Sequence, residues 1–260
     1  FSSRRRHTRL RTVTGVQTCA LPISSGALAF LTGECAGTVI FGGEGPGFRP
    51  MQVWLGTPDG DGMSVELLEP HAVERNDFLA RFVARHTAGP HHLTFKVPDL
   101  TAAIERVRGA GYHPVNIDMS DPGWMEAFLL PREAHGTVVQ LAQTNAAPAS
   151  RAEQLAYVAA NGPDMNPRWW TDPTPPAGPP VRLRRVVLRT PVLAAAVGFF
   201  AGVLQGDIEH ERDERVELVW PSGSRLALEH RPDAPPGVDR LEVEGLDAER
   251  EIIGARFVPV

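Results

Sequence analysis

The chain has 260 residues, 42% of them hydrophobic, with 26 Lys and Arg against 31 Asp and Glu for a formal net charge of −5. That length allows one large domain or two small ones, and the charge balance excludes an overall nucleic-acid footprint. Two cysteines cannot make a disulfide framework, so a reducing, cytoplasmic setting is the default, and no apolar run reaches the roughly 18 residues of a membrane helix.

Residues 1–23 fit no fold. Arg4-Arg5-Arg6-His7, Arg9 and Arg11 read first as a basic arm. Yet Val16-Gln17-Thr18-Cys19-Ala20-Leu21-Pro22-Ile23 is what GTG CAG ACG TGT GCT CTT CCG ATC encodes, a string resembling a sequencing adapter. The segment is therefore read as an artefact and set aside. This leaves Cys35 as the native thiol, and a native strand before Ser24 is expected to be missing.

From there, Ser25 to Val39 reads as a helix with Ala27, Leu28, Phe30 and Leu31 on its apolar side, running out at Gly37. Gly42 to Gly47 reads as a loop; it lacks the Lys-Ser/Thr of a phosphate loop. Pro50–Leu55 and Ser64–Leu68 are strands around the Asp59-Gly60 and Asp61-Gly62 turn. Asn76–His86 carries Phe78, Leu79, Phe82 and Val83 at helical spacing. Next come strand His92–Val97, helix Leu100–Ala110, strands Val115–Met119 and Met125–Leu130, turn Pro131–Gly136 and strand Thr137–Ala142. The Pro-rich stretch 146–180, with Trp169-Trp170, reads as a linker. Leu183–Leu188 is a strand, Val192–Leu204 a helix, Arg215–Trp220 and Arg225–Glu229 a hairpin, and Val238–Glu244 opens a further unit.

The order strand, helix, strand, strand, strand therefore recurs, and the segment before Glu69 repeats it without its first strand. The repeat sets Glu66, His92 and Gln140 at matching ends of strands. Imidazole, carboxylate and amide oxygen together suit a divalent metal with a position left open.

A repeated βαβββ unit with His opening a module and Glu or Gln in its last strand resembles the vicinal-oxygen-chelate superfamily. That group includes glyoxalase I, methylmalonyl-CoA epimerase, extradiol dioxygenases and bleomycin-resistance proteins. The strings GPHHLTFKVPDL, SVELLEP and FLLPREAHGTVVQLAQ look closest to glyoxalase-like and epimerase-like members. The resemblance implies an α+β fold of paired modules forming half-barrel mixed sheets. It divides the chain into a glyoxalase-like domain at 24–145, a linker at 146–180 and a shortened, degenerate second domain at 181–260. It implies a metal site of Glu66, His92 and Gln140, holding Zn, Ni, Co, Mn or Fe, with a fourth ligand on the missing strand. As it stands, the chain is then expected to bind metal weakly or not at all.

Alternation separates His92, which shares a face with Thr94 and Lys96, from His91, which shares one with Leu93, Phe95 and Val97. Gln140 cannot act as a base, and no catalytic residue is assigned. The three ligands are expected to converge to within about 5 Å of a common point. His135 is expected to be a solvated loop residue, Cys35 to be buried, and Trp169 and Trp170 to pin the linker. In the second half the positions matching His92 are Arg185 and Arg240, and Glu229 alone matches a ligand.

The resemblance implies a lyase or isomerase acting on a small 2-oxo compound or thioester. Two alternatives stay open: an Fe(II) extradiol-type dioxygenase, and a non-catalytic small-molecule binder. The expected partner is a small molecule, with neither nucleic acid nor membrane, and a homodimer is allowed.

Overall fold

The computed structural model describes residues 25–260 apart from 87, 146–149, 167 and 171–172, so the adapter-like segment lies outside the described residues. The chain is a mixed α+β fold of three sheets. In the first, β1 (Thr38–Gly43), β2 (Phe48–Gly56) and β3 (Gly62–Pro70) run antiparallel in the order β3-β2-β1, and a short β8 (Asp164–Asn166) extends β1 in parallel. The second is built from β4 (His92–Lys96), β5 (Val115–Asp118), β6 (Met125–Leu129) and β7 (Val138–Gln143) in the order β4-β7-β6-β5. The third holds β9 (Arg182–Thr190), β10 (Asp207–Arg212), β11 (Arg215–Val219), β12 (Arg225–His230), β13 (Gly237–Glu244), β14 (Arg250–Ile252) and β15 (Ala255–Pro259). Its order is β10-β11-β12-β9-β13-β15-β14.

The repeat is visible in the pairing. The strand that opens a module lies parallel to the strand that closes it, β4 beside β7 and β9 beside β12. In the first module β3 would be the closing strand, and it stands at the edge of its sheet among the described residues. The helices repeat too. α1 (Ser25–Ala29) passes into a π-helical turn at Phe30–Glu34, and α5 (Leu193–Val197) passes into one at Gly198–Val203.

α3 (Leu100–Gly109) starts where Asp99 accepts a hydrogen bond from the Ala102 amide, and it buries Leu100, Ala103, Ile104 and Val107. The core joins the two halves. Phe95 of β4 meets Phe200 and Trp220, with ring centroids 6.1 and 5.3 Å apart, and Phe30 meets Phe257 at 5.0 Å. Burying one such ring contributes about 2–3 kcal/mol.

Four expectations change. The first helix ends at Glu34 rather than Val39, because a Cβ on Gly37 would lie 2.6 Å from the Leu31 carbonyl oxygen as the chain turns into β1. Thr38–Gly43 is then strand, and the loop shrinks to residues 44–47. The linker holds a helix, α4 (Arg151–Asn161), started by a capping box between Ser150 and Glu153. Leu155 and Val158 of α4 pack on Ile40 and Trp54. β10, absent from the sequence reading, pairs with β11 although its residues are nearly all exposed.

His135 is the fourth change. It is half-buried, takes a left-handed backbone (φ 54°), and lies against Phe199 and Phe200 with Nδ1 3.3 Å from Thr190 Oγ1. Burial lowers its pKa. It is an inter-half contact rather than a solvated loop residue. Cys35 is buried as expected, its thiol pushed up to about 12 chiefly by that burial. Trp170 is buried against Gly42, where a Cβ would lie 2.0 Å from the indole ring, so it does fasten the linker. α2 (Phe78–His86) lies beside β3, where buried Leu79 meets Leu68.

Candidate functional site

The inner faces of the first two sheets carry the polar residues. On β2 and β3, Gln52 stands directly opposite Glu66 and Trp54 opposite Ser64. On β4 and β7, His92 pairs with Val138 and Thr94 with Gln140. Alternation then puts His92, Thr94 and Lys96 on one face, together with Gln140 and, from β6, Glu126 and Phe128.

Glu66 and His92 meet between the two sheets, His92 Nε2 3.4 Å from Glu66 Oε2. Both are withdrawn from solvent, at 8% and 5% exposure. Their partners aim them. Gln52 Nε2 donates to Glu66 Oε1 at 2.9 Å, leaving Oε2 to face the imidazole. His91 Nδ1 lies 3.2 Å from His92 Nδ1, which turns Nε2 towards Glu66. Burial, with smaller contributions from His92 and His86, lowers the His91 pKa to about 3, so His91 is neutral near pH 7. It packs edge-on against Phe82 at 4.6 Å. His91 therefore orients its neighbour from the apolar side.

Gln140 lies on the same inner face, at 8% exposure, with its amide engaged on both sides. Its Oε1 accepts from Thr94 Oγ1 at 2.5 Å, and its Nε2 donates to Glu126 Oε2 at 2.7 Å. The Trp124 indole N–H donates to the same Glu126 oxygen at 2.7 Å, and the Lys96 ammonium sits over that indole, 5.7 Å from its centroid. The structure thus joins Glu66 directly to His92, and holds Gln140 in a neighbouring network with Glu126. Glu126 was missed in the sequence, although its alternation with Ala127 in Met125–Leu129 would have placed it on this face. Gln52 was missed as well, because only the β2–β3 register shows that it faces Glu66.

The second half fills the corresponding face differently. Arg185 is opposite Glu242, and Arg215 opposite Glu229. Glu242 receives Arg215 Nη2 at 2.9 Å and Arg240 Nη2 at 2.7 Å, and forms an ion pair with Arg185, whose Nε lies 2.9 Å away. Glu229 receives Arg215 Nη1 at 2.5 Å and Arg240 Nη2 at 2.6 Å. Arg185 also pairs with Glu217. Burial opposes ionisation of Glu229 and Glu242, yet the guanidinium groups hold both carboxyls below the usual glutamate value.

Among the described residues, three His, Cys, Asp or Glu donors gather within 4.8 Å of one another at Glu209, His210 and Glu217. Glu209 pairs with Arg225, and Glu217 with Arg185 and Arg215, so both carboxylates already hold cations. A cavity of about 380 Å³ lies elsewhere, between α4 and β1, lined by Thr38, Val158, Trp170 and Thr174 among others. It takes in none of the expected ligands. The two tyrosines stand apart from the inner face of the first half: Tyr112 packs on Phe199, and Tyr157 is exposed on α4. Among the described residues, no helix is long and apolar enough to cross a membrane.

Residues 38–128 match the model of the Glyoxalase/Bleomycin resistance protein/Dioxygenase superfamily. A hypothetical protein from Staphylococcus aureus shares the fold over 95% of this chain and 99% of its own, with a TM-score of 0.61 at 11% identity. Methylmalonyl-CoA epimerase from Streptomyces coelicolor aligns with 54% of this chain and 98% of its own, with a TM-score of 0.45 at 20% identity. A hypothetical protein from Bacillus halodurans aligns with 54% and 99%, at 0.46 and 21%. No curated protein matches the chain.

Proposed function

We propose that this chain, which belongs to the glyoxalase/bleomycin resistance/dioxygenase superfamily through residues 38–128, binds a divalent metal in its first half and acts there on a small oxygen-chelating substrate. The substrate class is a 2-oxo compound or a thioester, and the reaction that of a lyase or isomerase. The observation that carries this reading is the buried pair His92 Nε2 and Glu66 Oε2, 3.4 Å apart. Two ligands bound at about 2.1 Å around a tetrahedral ion stand about 3.4 Å from each other.

Glu66 and His92 are the two donors that fit such an ion, and Gln140 would add its Oε1 through the lone pair that Thr94 leaves free. Held by these residues, such an ion would supply Lewis-acid chemistry to the substrate's oxygens. Zn, Ni, Co, Mn and Fe all accept this donor set. Gln52 and His91 fix the directions of Glu66 and His92, the outer-shell support that metal ligands need. Glu126, gripped by Gln140 and Trp124, is the carboxylate on this face that would take the proton from carbon.

A second reading, non-catalytic capture of a small molecule, draws support from the Gln140 amide being engaged on both sides. Deuterium exchange decides between them. With each metal in turn, the protein should exchange the proton next to the carbonyl of a small 2-oxo acid or thioester in D2O, and Glu126→Gln should remove the exchange. Tight ligand binding without exchange under any metal would establish the binder instead.

A further inference from the structure

Among the described residues, two cations on the inner face of the first half make no ion pair and one buried hydroxyl makes no hydrogen bond. Lys96 lies over the Trp124 ring and makes no ion pair among the described residues. The Arg151 guanidinium lies 4.8 Å over the Trp54 ring, donates to Gln154, and likewise makes no ion pair among the described residues. Ser64, 2% exposed, has its Oγ buried with no hydrogen-bond partner. In the second half, by contrast, Arg185, Arg215 and Arg240 each meet at least two carboxylates.

Ser64 and Arg151 meet about Trp54, and Lys96 feels the Arg151 charge. Ser64 pairs with Trp54, whose ring carries Arg151. Arg151 opens α4, and a Cβ built on Gly60 would lie 3.1 Å from Arg151 Cβ, so the helix start rests on the β2–β3 turn. Lys96 is close enough to Arg151 for the two charges to oppose each other, and close enough to Glu66 to be supported by it. Burial lowers the pKa of Lys96 and that of Arg151. Two partly buried like charges without an anion are unfavourable; a carboxylate between them removes the penalty, bidentate on the guanidinium and with the hydroxyl as a further donor.

We propose that Lys96, Arg151 and Ser64 form a carboxylate-binding site beside the Glu66–His92 pair. The inference rests on the reading above and narrows the substrate to an acid with two separate ends. Lys96 follows His92 by four strand residues, about 13 Å along the backbone at about 3.3 Å per residue. The Lys96 side chain covers part of that span by reaching back towards Glu66, so the carboxylate held here is a distal one of a short diacid and not the group chelated at Glu66 and His92.

The test compares 2-oxoglutarate with 2-oxobutyrate, which has the same oxo-acid end and no distal carboxylate. Calorimetry on the metal-loaded protein should show 2-oxoglutarate binding at least tenfold more tightly. Lys96→Gln and Arg151→Gln should each erase the difference without weakening 2-oxobutyrate, while Lys96→Arg and Arg151→Lys should keep it. Equal binding of the two acids, or a preference that survives both glutamine variants, overturns the proposal. Titration of glutarate into metal-free protein separates this site from the metal reading. Glutarate should bind and be weakened about tenfold by either glutamine variant, even if no metal binds at all. Absent or unaltered glutarate binding overturns the carboxylate site alone.

Discussion

The two halves of the molecule use the same face of the same kind of sheet in opposite ways. In the second half every charge on that face has a partner: Arg185, Arg215 and Arg240 enclose Glu217, Glu229 and Glu242. In the first half Glu66 meets a histidine rather than an arginine, and among the described residues Lys96 and Arg151 make no ion pair and the Ser64 hydroxyl no hydrogen bond. A guanidinium at the strand position of His92 supplies the charge that a metal would supply, and it does so permanently. The second half thereby becomes a closed structural lattice, and the first does not.

The largest expected effect tests the closed side. Glu242→Ala leaves Arg185, Arg215 and Arg240 short of one buried carboxylate and should cost about 3–5 kcal/mol in urea unfolding. Glu66→Gln, in the first half, should cost much less. Equal losses would erase the contrast between the halves.

Acid sharpens the same contrast. The folded-state pKa values of Glu229 and Glu242 are depressed, so their stabilisation is complete above the ordinary value of 4.5 and is lost as pH falls below it. Hydrogen exchange between pH 6 and 3 should show β11–β13 losing protection before β2–β3. The reverse order would mean that the arginine lattice does not stabilise the second half.

A smaller effect concerns the helix that delivers Arg151. Ser150→Ala removes the capping box and should cost about 1 kcal/mol, read from the urea midpoint. No change would show that α4 is held by Leu155 and Val158 alone.

The strand alternation and the recurring strand-helix-strand order made the module pattern legible, and with it the face shared by His92, Thr94 and Lys96. Periodicity could not show the π-helical turns, which continue a helical pattern in both repeats, nor β10, whose residues are mostly polar on both faces. The start of α4 was legible in Ser150 and Glu153 but was masked by the proline-rich flanks. For the proposed site, sequence singled out Glu66, His92 and Gln140 by residue type and strand position; the structure joins the first two and holds Gln140 with Thr94 and Glu126. Gln52 and Arg151 depend on register and on a helix folding back across a sheet, which no local pattern contains, whereas Glu126 lay within reach of the Met125–Leu129 alternation. The role of His91 was also out of reach: its ring faces apolar Phe82 while its Nδ1 reaches the neighbouring imidazole.

Equilibrium dialysis of the chain against Zn2+, followed by elemental analysis, tests the central claim most directly. One ion per chain should bind, weakly and saturably. His92→Ala should remove it, and Glu229→Gln should leave it in place. Binding that survives His92→Ala, or that disappears with Glu229→Gln, would contradict the account by placing the ion outside the first half.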